Sequence, residues 1–257
     1  MATLEIRNLS KSFRDNGNAA VSALAGIDLD IPSSQQVVIV GPNGSGKSTF
    51  LNLLAGDFDP DTGTVRLADL EQGVELTRMP RWRRAGFIAR VHQDPRRGTA
   101  PSMTAWENYR LVINRAHVPS PFRVRDSSTE RALFEQRLAA LGLQAKQDTR
   151  IADLSQGQRQ LLAVELAMIH RPALLLLDEH TASLDVDNAR KCLDATVRLC
   201  REHSTTLLMV THNLVDALRY GERLLVLQSG RVLVDLDAQG KRRMTLEKLL
   251  DLCGYMS

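Results

Sequence analysis

Apolar and polar positions alternate at Ile27, Leu29 and Ile31 against Asp28 and Asp30. This period of two predicts a half-buried strand, stopped by Pro32 and Ser33. Val37 to Val40 is an unbroken aliphatic run, as in a strand covered on both faces of a parallel sheet. A glycine-rich stretch, Gly41 to Thr49, follows directly, and then Phe50, Leu51, Leu53 and Leu54 recur at helical spacing as far as Gly56. Gly86–Val91, Ala173–Leu177, Thr205–Val210 and Leu224–Leu227 are further strand candidates, with helical stretches between most of them. Such alternation predicts an α/β fold built on a parallel sheet.

Between about Ala100 and Ile169 no strand pattern is evident. Thr104 and Glu107 stand at capping-box spacing ahead of Tyr109, Leu111, Val112 and Ile113. Ser127 and Glu130 repeat it before Leu133, Phe134, Leu138 and Leu141, with Gly142 as the stop. Pro119, Ser120 and Pro121 separate these two helices, and a third is predicted from about Gly157 to Ile169. The segment reads as a helical subdomain, about 100–169, inserted into a core of about 1–99 and 170–257. The tail from Gly240 reads as a short basic turn and one amphipathic helix.

With 43% apolar and 25% charged residues in 257, the composition is that of a globular chain with a sizeable core, neither disordered nor fibrous. The net charge of +3 is no nucleic-acid footprint. The longest aliphatic run, Ala173–Leu177, falls far short of the roughly 20 residues of a spanning helix, and the N-terminus lacks the pattern of a secretory signal. Three cysteines, Cys192, Cys200 and Cys253, with no Cys-x-x-Cys, fit a reducing compartment and read as packing residues. A cytoplasmic location is the expectation.

The glycine-rich stretch changes the picture most. Gly41-Pro42-Asn43-Gly44-Ser45-Gly46-Lys47-Ser48-Thr49 matches Gly-x4-Gly-Lys-Ser/Thr, in which glycines let backbone N–H groups turn inward onto phosphate. Lys47 is suited to the β- and γ-phosphates and Ser48 to Mg²⁺, while the helix that follows aims its positive end at the same anion. Leu174 to Leu177 leads into Asp178 and Glu179, two acids at the carboxyl end of a buried strand, where ligands of doubly wound sheets bind. Asp178 suits the metal shell, and Glu179 a general base that orients or deprotonates water.

Leu154-Ser155-Gln156-Gly157-Gln158 resembles the signature of ATP-binding-cassette ATPases, usually Leu-Ser-Gly-Gly-Gln, and the family's other motifs follow in order. Gln93 resembles the Gln-loop residue, Ser183-Leu184-Asp185 the D-loop, His212 the switch histidine, and Phe13 the aromatic that stacks on adenine. The resemblance implies a P-loop nucleoside-triphosphatase core with a parallel sheet, an N-terminal antiparallel β portion and the helical insert. It implies ATP and Mg²⁺ as ligands, Gln93, Ser48 and Asp178 near the metal, Glu179, His212 and Gln93 as catalytic groups, and a head-to-tail homodimer. There Ser155, Gln156 and Gly157 of one chain face the ATP held by the other, with Asp185 linking the two sites. Gln156 in place of glycine and His180 after the catalytic acid depart from the usual pattern.

The stretch Gln93-Asp94-Pro95 through Gly98 to Thr104, with Asp178-Glu179-His180-Thr181-Ala182, resembles importer ATPases that act with a periplasmic binding protein and a branched-chain-amino-acid-type permease, linked to tryptophan or tyrosine uptake. The implied place is the cytoplasmic side of the inner membrane, with an integral membrane permease as partner and no nucleic acid. An export or lipid-extraction ATPase and a soluble cassette ATPase are the alternatives. Arg81, Arg83, Arg84, Arg96, Arg97, Arg110, Arg115, Arg123 and Arg125 read either as a surface for anionic lipid or acidic permease loops or as a solvated basic face. Trp82, Trp106 and Tyr109 line a permease groove in one reading, and helix packing explains the latter two in the other.

Overall fold

A computed structural model describes residues 3–14, 20–68, 73–114 and 127–254. In chain order these form β1 (Thr3–Phe13), β2 (Val21–Ile31), β3 (Gln36–Val40), α1 (Lys47–Ala55), β4 (Thr62–Ala68), β5 (Val74–Glu75), α2 (Arg81–Arg84) and β6 (Ile88–Val91). There follow α3 (Ala105–Asn114), α4 (Ser127–Ala140), α5 (Gln156–Met168), β7 (Leu174–Asp178), α6 (Val186–Glu202), β8 (Thr206–Val210) and α7 (Leu214–Arg219). The chain ends through β9 (Arg223–Gln228), β10 (Arg231–Leu236), α8 (Ala238–Arg243) and α9 (Leu246–Leu252). Two compact units result, one of residues 1–90, 172–179 and 200–257, the other of 91–171 and 180–199.

The first unit holds a sheet in the order β2-β1-β4-β5, antiparallel throughout, and a sheet in the order β10-β9-β3-β8-β7-β6. In the latter β9, β3, β8 and β7 run parallel and β10 returns antiparallel on the edge. All five residues of β3 are buried, as its aliphatic run requires. Leu4, Ile6, Leu9, Ile27, Ile31, Phe50, Leu54, Val65, Leu176 and Leu225 share one core of strands and α1.

Gly86 and Phe87, expected in a strand, instead donate their N–H groups to the Arg83 and Arg84 carbonyls, so β6 begins only at Ile88. Arg84, counted above among surface arginines, is 1% exposed. Its guanidinium donates to the carbonyls of Met79 (2.8 Å), Leu53, Leu54 (3.0 Å) and Thr77 (2.9 Å), closing the last turn of α1. Arg115, Arg123, Arg125, Pro119, Ser120 and Pro121 lie outside the described residues.

In the second unit Thr104 and Glu107 form the expected reciprocal cap of α3. Tyr109, Phe134, Leu138, Leu154 and Leu162 make a separate core. Phe134 stacks on Tyr109 with ring centroids 4.4 Å apart, and Trp106 stacks on Tyr109 at 5.4 Å, so both aromatics of α3 pack within the unit. Leu111 and Leu133, placed on apolar faces by spacing, are exposed instead. Cys192, Cys200 and Cys253 are buried and unpaired, and burial pushes the Cys192 and Cys200 thiols up to about 12. Among the described residues no helix is long and apolar enough to cross a membrane.

Candidate nucleotide site

The first unit brings together Gly41–Thr49, Asp178, Glu179 and His212 at the carboxyl ends of adjoining strands β3, β7 and β8. Two glycines of the loop are sterically required. A Cβ on Gly41 would lie 2.0 Å from the Leu227 carbonyl oxygen, and one on Gly46 2.4 Å from that of Ala23, with φ at +149° and +101°. The loop is pinned from both sides, because Gly230 donates its N–H to Ser45 O at 3.0 Å. Gly46 caps α1 without a side-chain hydrogen bond, so no side chain competes for the N–H groups at the positive end of that helix.

Lys47 is only 8% exposed, and its ammonium donates to Gly41 O (2.7 Å), Pro42 O (2.9 Å) and Ser45 Oγ (3.3 Å). Burial lowers its pKa below the ordinary lysine value, and the charges of Glu179, Cys253 and Asp178 oppose that shift. Pro42 and Thr49 are half-buried, whereas Asn43, Gly44 and Ser48 are exposed to a ligand. A loop that folds its lysine inward among carbonyls, at an uncapped helix start, has the charge and donor set to take a polyphosphate.

Asp178 ends β7 opposite Val210, and Glu179 follows with φ at +48°, a left-handed conformation costly for a non-glycine residue. Its N–H donates to Val210 O at 3.0 Å, and its Oε2 lies 3.3 Å from His212 Nδ1. Next to His212, Asn213 donates its N–H to Thr211 Oγ1, and its carboxamide oxygen caps α7. Spacing alone gave no hint of this acid–imidazole pair. Asp178 Oδ2 accepts from Arg90 Nη2 at 2.6 Å, a partner that sequence reasoning missed because nothing local connects the two residues.

Phe13 ends β1, is 37% exposed, and packs edge-to-face on Phe58 at 5.5 Å. Ser48 and Asp178 supply hard oxygen ligands of the class Mg²⁺ prefers. Among the described residues no three His, Cys, Asp or Glu side chains could hold a metal by themselves.

In the second unit Ser155 caps α5: Gln158 N donates to Ser155 Oγ (3.3 Å) and Ser155 N to Gln158 Oε1 (3.0 Å). The Ser-x-x-Gln spacing was the available signal for this capping box. Gln156 is exposed and donates from Nε2 to Ser183 Oγ at 2.6 Å. Gly157 is buried, a Cβ there falling 3.4 Å from Asn188. Asp185 accepts from Asn188 N (2.9 Å) and Asn188 Nδ2 (2.6 Å), bonds that hold its carboxyl below the usual range. Gln93 is exposed, one residue beyond His92, whose carbonyl accepts from Gln160 at 3.2 Å.

The family profile described as ABC transporter matches residues 24–182. A tyrosine transport ATP-binding protein of Clostridioides difficile strain R20291 is 36% identical over 254 residues, covering 98% of this chain and 99% of the relative. A lipoprotein-releasing system ATP-binding protein of Pseudomonas syringae pv. tomato is 36% identical over 236 residues, 90% of this chain and 97% of the relative. Among solved structures, a dimeric ATP-binding cassette, MJ0796, bound to ADP and Pi aligns with a TM-score of 0.75 and 27% identity, over 92% of this chain and 99% of the other.

Proposed function

The chain belongs to the ABC transporter family, whose cassettes bind and hydrolyse ATP, and on that premise we propose that it energises a bacterial importer of an aromatic amino acid. The observation that carries the importer reading is the end-to-end match, 98% of one chain on 99% of the other, to a tyrosine transport ATP-binding protein. A single cassette with a core of about 1–99 and 170–257 and a helical subdomain of about 100–169 is the domain organisation that goes with it.

In this reading the loop N–H groups and Lys47 take the β- and γ-phosphates, and Phe13 the adenine. Ser48 and Asp178 would hold Mg²⁺, which neutralises phosphate charge when bound. Glu179 orients the attacking water and accepts its proton as the new P–O bond forms and the bond to the β-phosphate bridging oxygen breaks, releasing ADP and phosphate. The left-handed backbone at Glu179 sets the direction in which its side chain leaves β7, and the His212 contact steadies the carboxylate. His212 then reaches the γ-phosphate by releasing Glu179.

The second anion site, at the start of α5, lies with Ser155, Gln156 and Gly157, and two chains arranged head to tail let it close over the partner's ATP. Asp185 and Gln93 carry closure to the partner chain and to an integral membrane permease. A periplasmic binding protein delivers the solute, and the cassette sits peripherally on the cytoplasmic side of the inner membrane. The match to a lipoprotein-releasing system ATP-binding protein supports a second reading, in which the assembly extracts lipid-linked cargo without a binding protein.

Purification of tagged Glu179→Gln from native cells with MgATP in mild detergent, followed by mass spectrometry, separates the two. A permease with a periplasmic binding protein supports import. A membrane partner without one, carrying lipoprotein, contradicts it.

A further inference from the structure

We infer that Arg90 is a positioning residue that presets the Asp178 carboxylate for the metal-bound nucleotide. The inference rests on the proposed metal role of Asp178. Arg90 lies on β6, and its side chain is 11% exposed. One arm of its guanidinium, Nη1, donates to Asn52 Oδ1 (2.7 Å) and Asp57 Oδ2 (2.8 Å), and the other, Nη2, donates to Asp178 Oδ2 (2.6 Å). Asp57 is itself steadied by Arg81 at 2.9 Å. The planar fork therefore ties the strand-end acid to the helix that begins at the phosphate loop, at Asn52, and to the turn that follows it, at Asp57, through residues far apart in sequence.

Stability alone is a poor reason for this arrangement. Arg90 Nε is buried without a partner, and a nearly buried cation with an unmet donor is no better for the fold than a well-packed apolar side chain. What the cation supplies is orientation. It occupies Oδ2 and makes no bond to Oδ1, so Asp178 cannot spin to offer its oxygens interchangeably. Carboxylates that hold a metal are commonly fixed by such outer partners, whose loss costs about 10–100-fold in metal affinity or activity.

The test measures binding of a fluorescent ATP analogue to the full chain with Mg²⁺ and with EDTA, and takes the ratio of the two affinities as the gain due to metal. Asp178→Asn should abolish the gain. If it does not, the metal role of Asp178 fails and Arg90's role with it. Given that loss, Arg90→Met should lower the gain about tenfold or more while leaving the EDTA affinity near that of the parent, because the loop is untouched. Arg90→Lys should recover part of it. A parental gain in Arg90→Met overturns the inference. Should Arg90→Met not fold, Asn52→Ala with Asp57→Asn loosens the same guanidinium; a smaller loss in the same direction is expected, and an unchanged gain overturns the inference.

Discussion

Replacing Arg84 by methionine keeps an unbranched, apolar stem but not the guanidinium, and removes four hydrogen bonds donated to the carbonyls of Met79, Leu53, Leu54 and Thr77. Each bond from a charged donor is nominally worth about 1.5–3 kcal/mol, but the sum overstates the loss because the guanidinium was desolvated to make them. Burial lowers the Arg84 pKa, which is the mark of that cost. What remains is the cost of buried carbonyls left without a donor, about 1–3 kcal/mol for each that water cannot reach. Taking about 3 kcal/mol, and about 2–4 °C per kcal/mol for a chain of this size, the melting temperature should fall by about 6–12 °C. Arg84→Lys should recover little, since one ammonium cannot serve carbonyls that a planar fork reaches from both sides. Scanning calorimetry of the parent and both variants provides the assay. An Arg84→Met chain melting within about 2 °C of the parent would refute the reasoning.

Burial lowers the His180 pKa to about 4, so between about 4 and 6.5 the unfolded chain binds a proton that the folded chain refuses. The stability from neutral burial is complete above 6.5 and is lost as pH falls toward 4, by about 3 kcal/mol. His180→Gln should flatten that part of a urea-denaturation profile, and an unchanged acid limb contradicts the assignment. Gly46→Ala places a Cβ against Ala23 O at a positive φ and should cost about 1–3 kcal/mol together with nucleotide affinity; parental binding in calorimetric titration would show that the loop tolerates the contact. Ser155→Arg should stop turnover by the permease-bound assembly while leaving ATP binding by one chain intact; undiminished turnover would rule out a site shared between two chains.

Local signals made much of this legible. The phosphate loop is contiguous, Gly41 and Gly46 are demanded by neighbouring carbonyls, and β3 and β7 announce themselves as aliphatic runs. β1 escaped because register shifts between Ile6 and Leu9 break its period of two, leaving Leu4, Ile6 and Leu9 at uneven spacing. On β10 the alternation is half-buried against exposed, too weak to stand out. Arg84 reads as surface charge, and Arg90 carries no signal at all, because their partners are carbonyls and carboxylates brought in by the fold. The same holds for the bond from Gln156 to Ser183, which ties two motifs 27 residues apart.

Light scattering of Glu179→Gln with MgATP, alongside its phosphate release, tests the central claim most directly. A stable nucleotide-bound dimer at twice the 28.5 kDa of one chain is expected, with turnover nearly abolished because the water has lost its base. Phosphate release at the parental rate would contradict it and remove Glu179 from the chemistry.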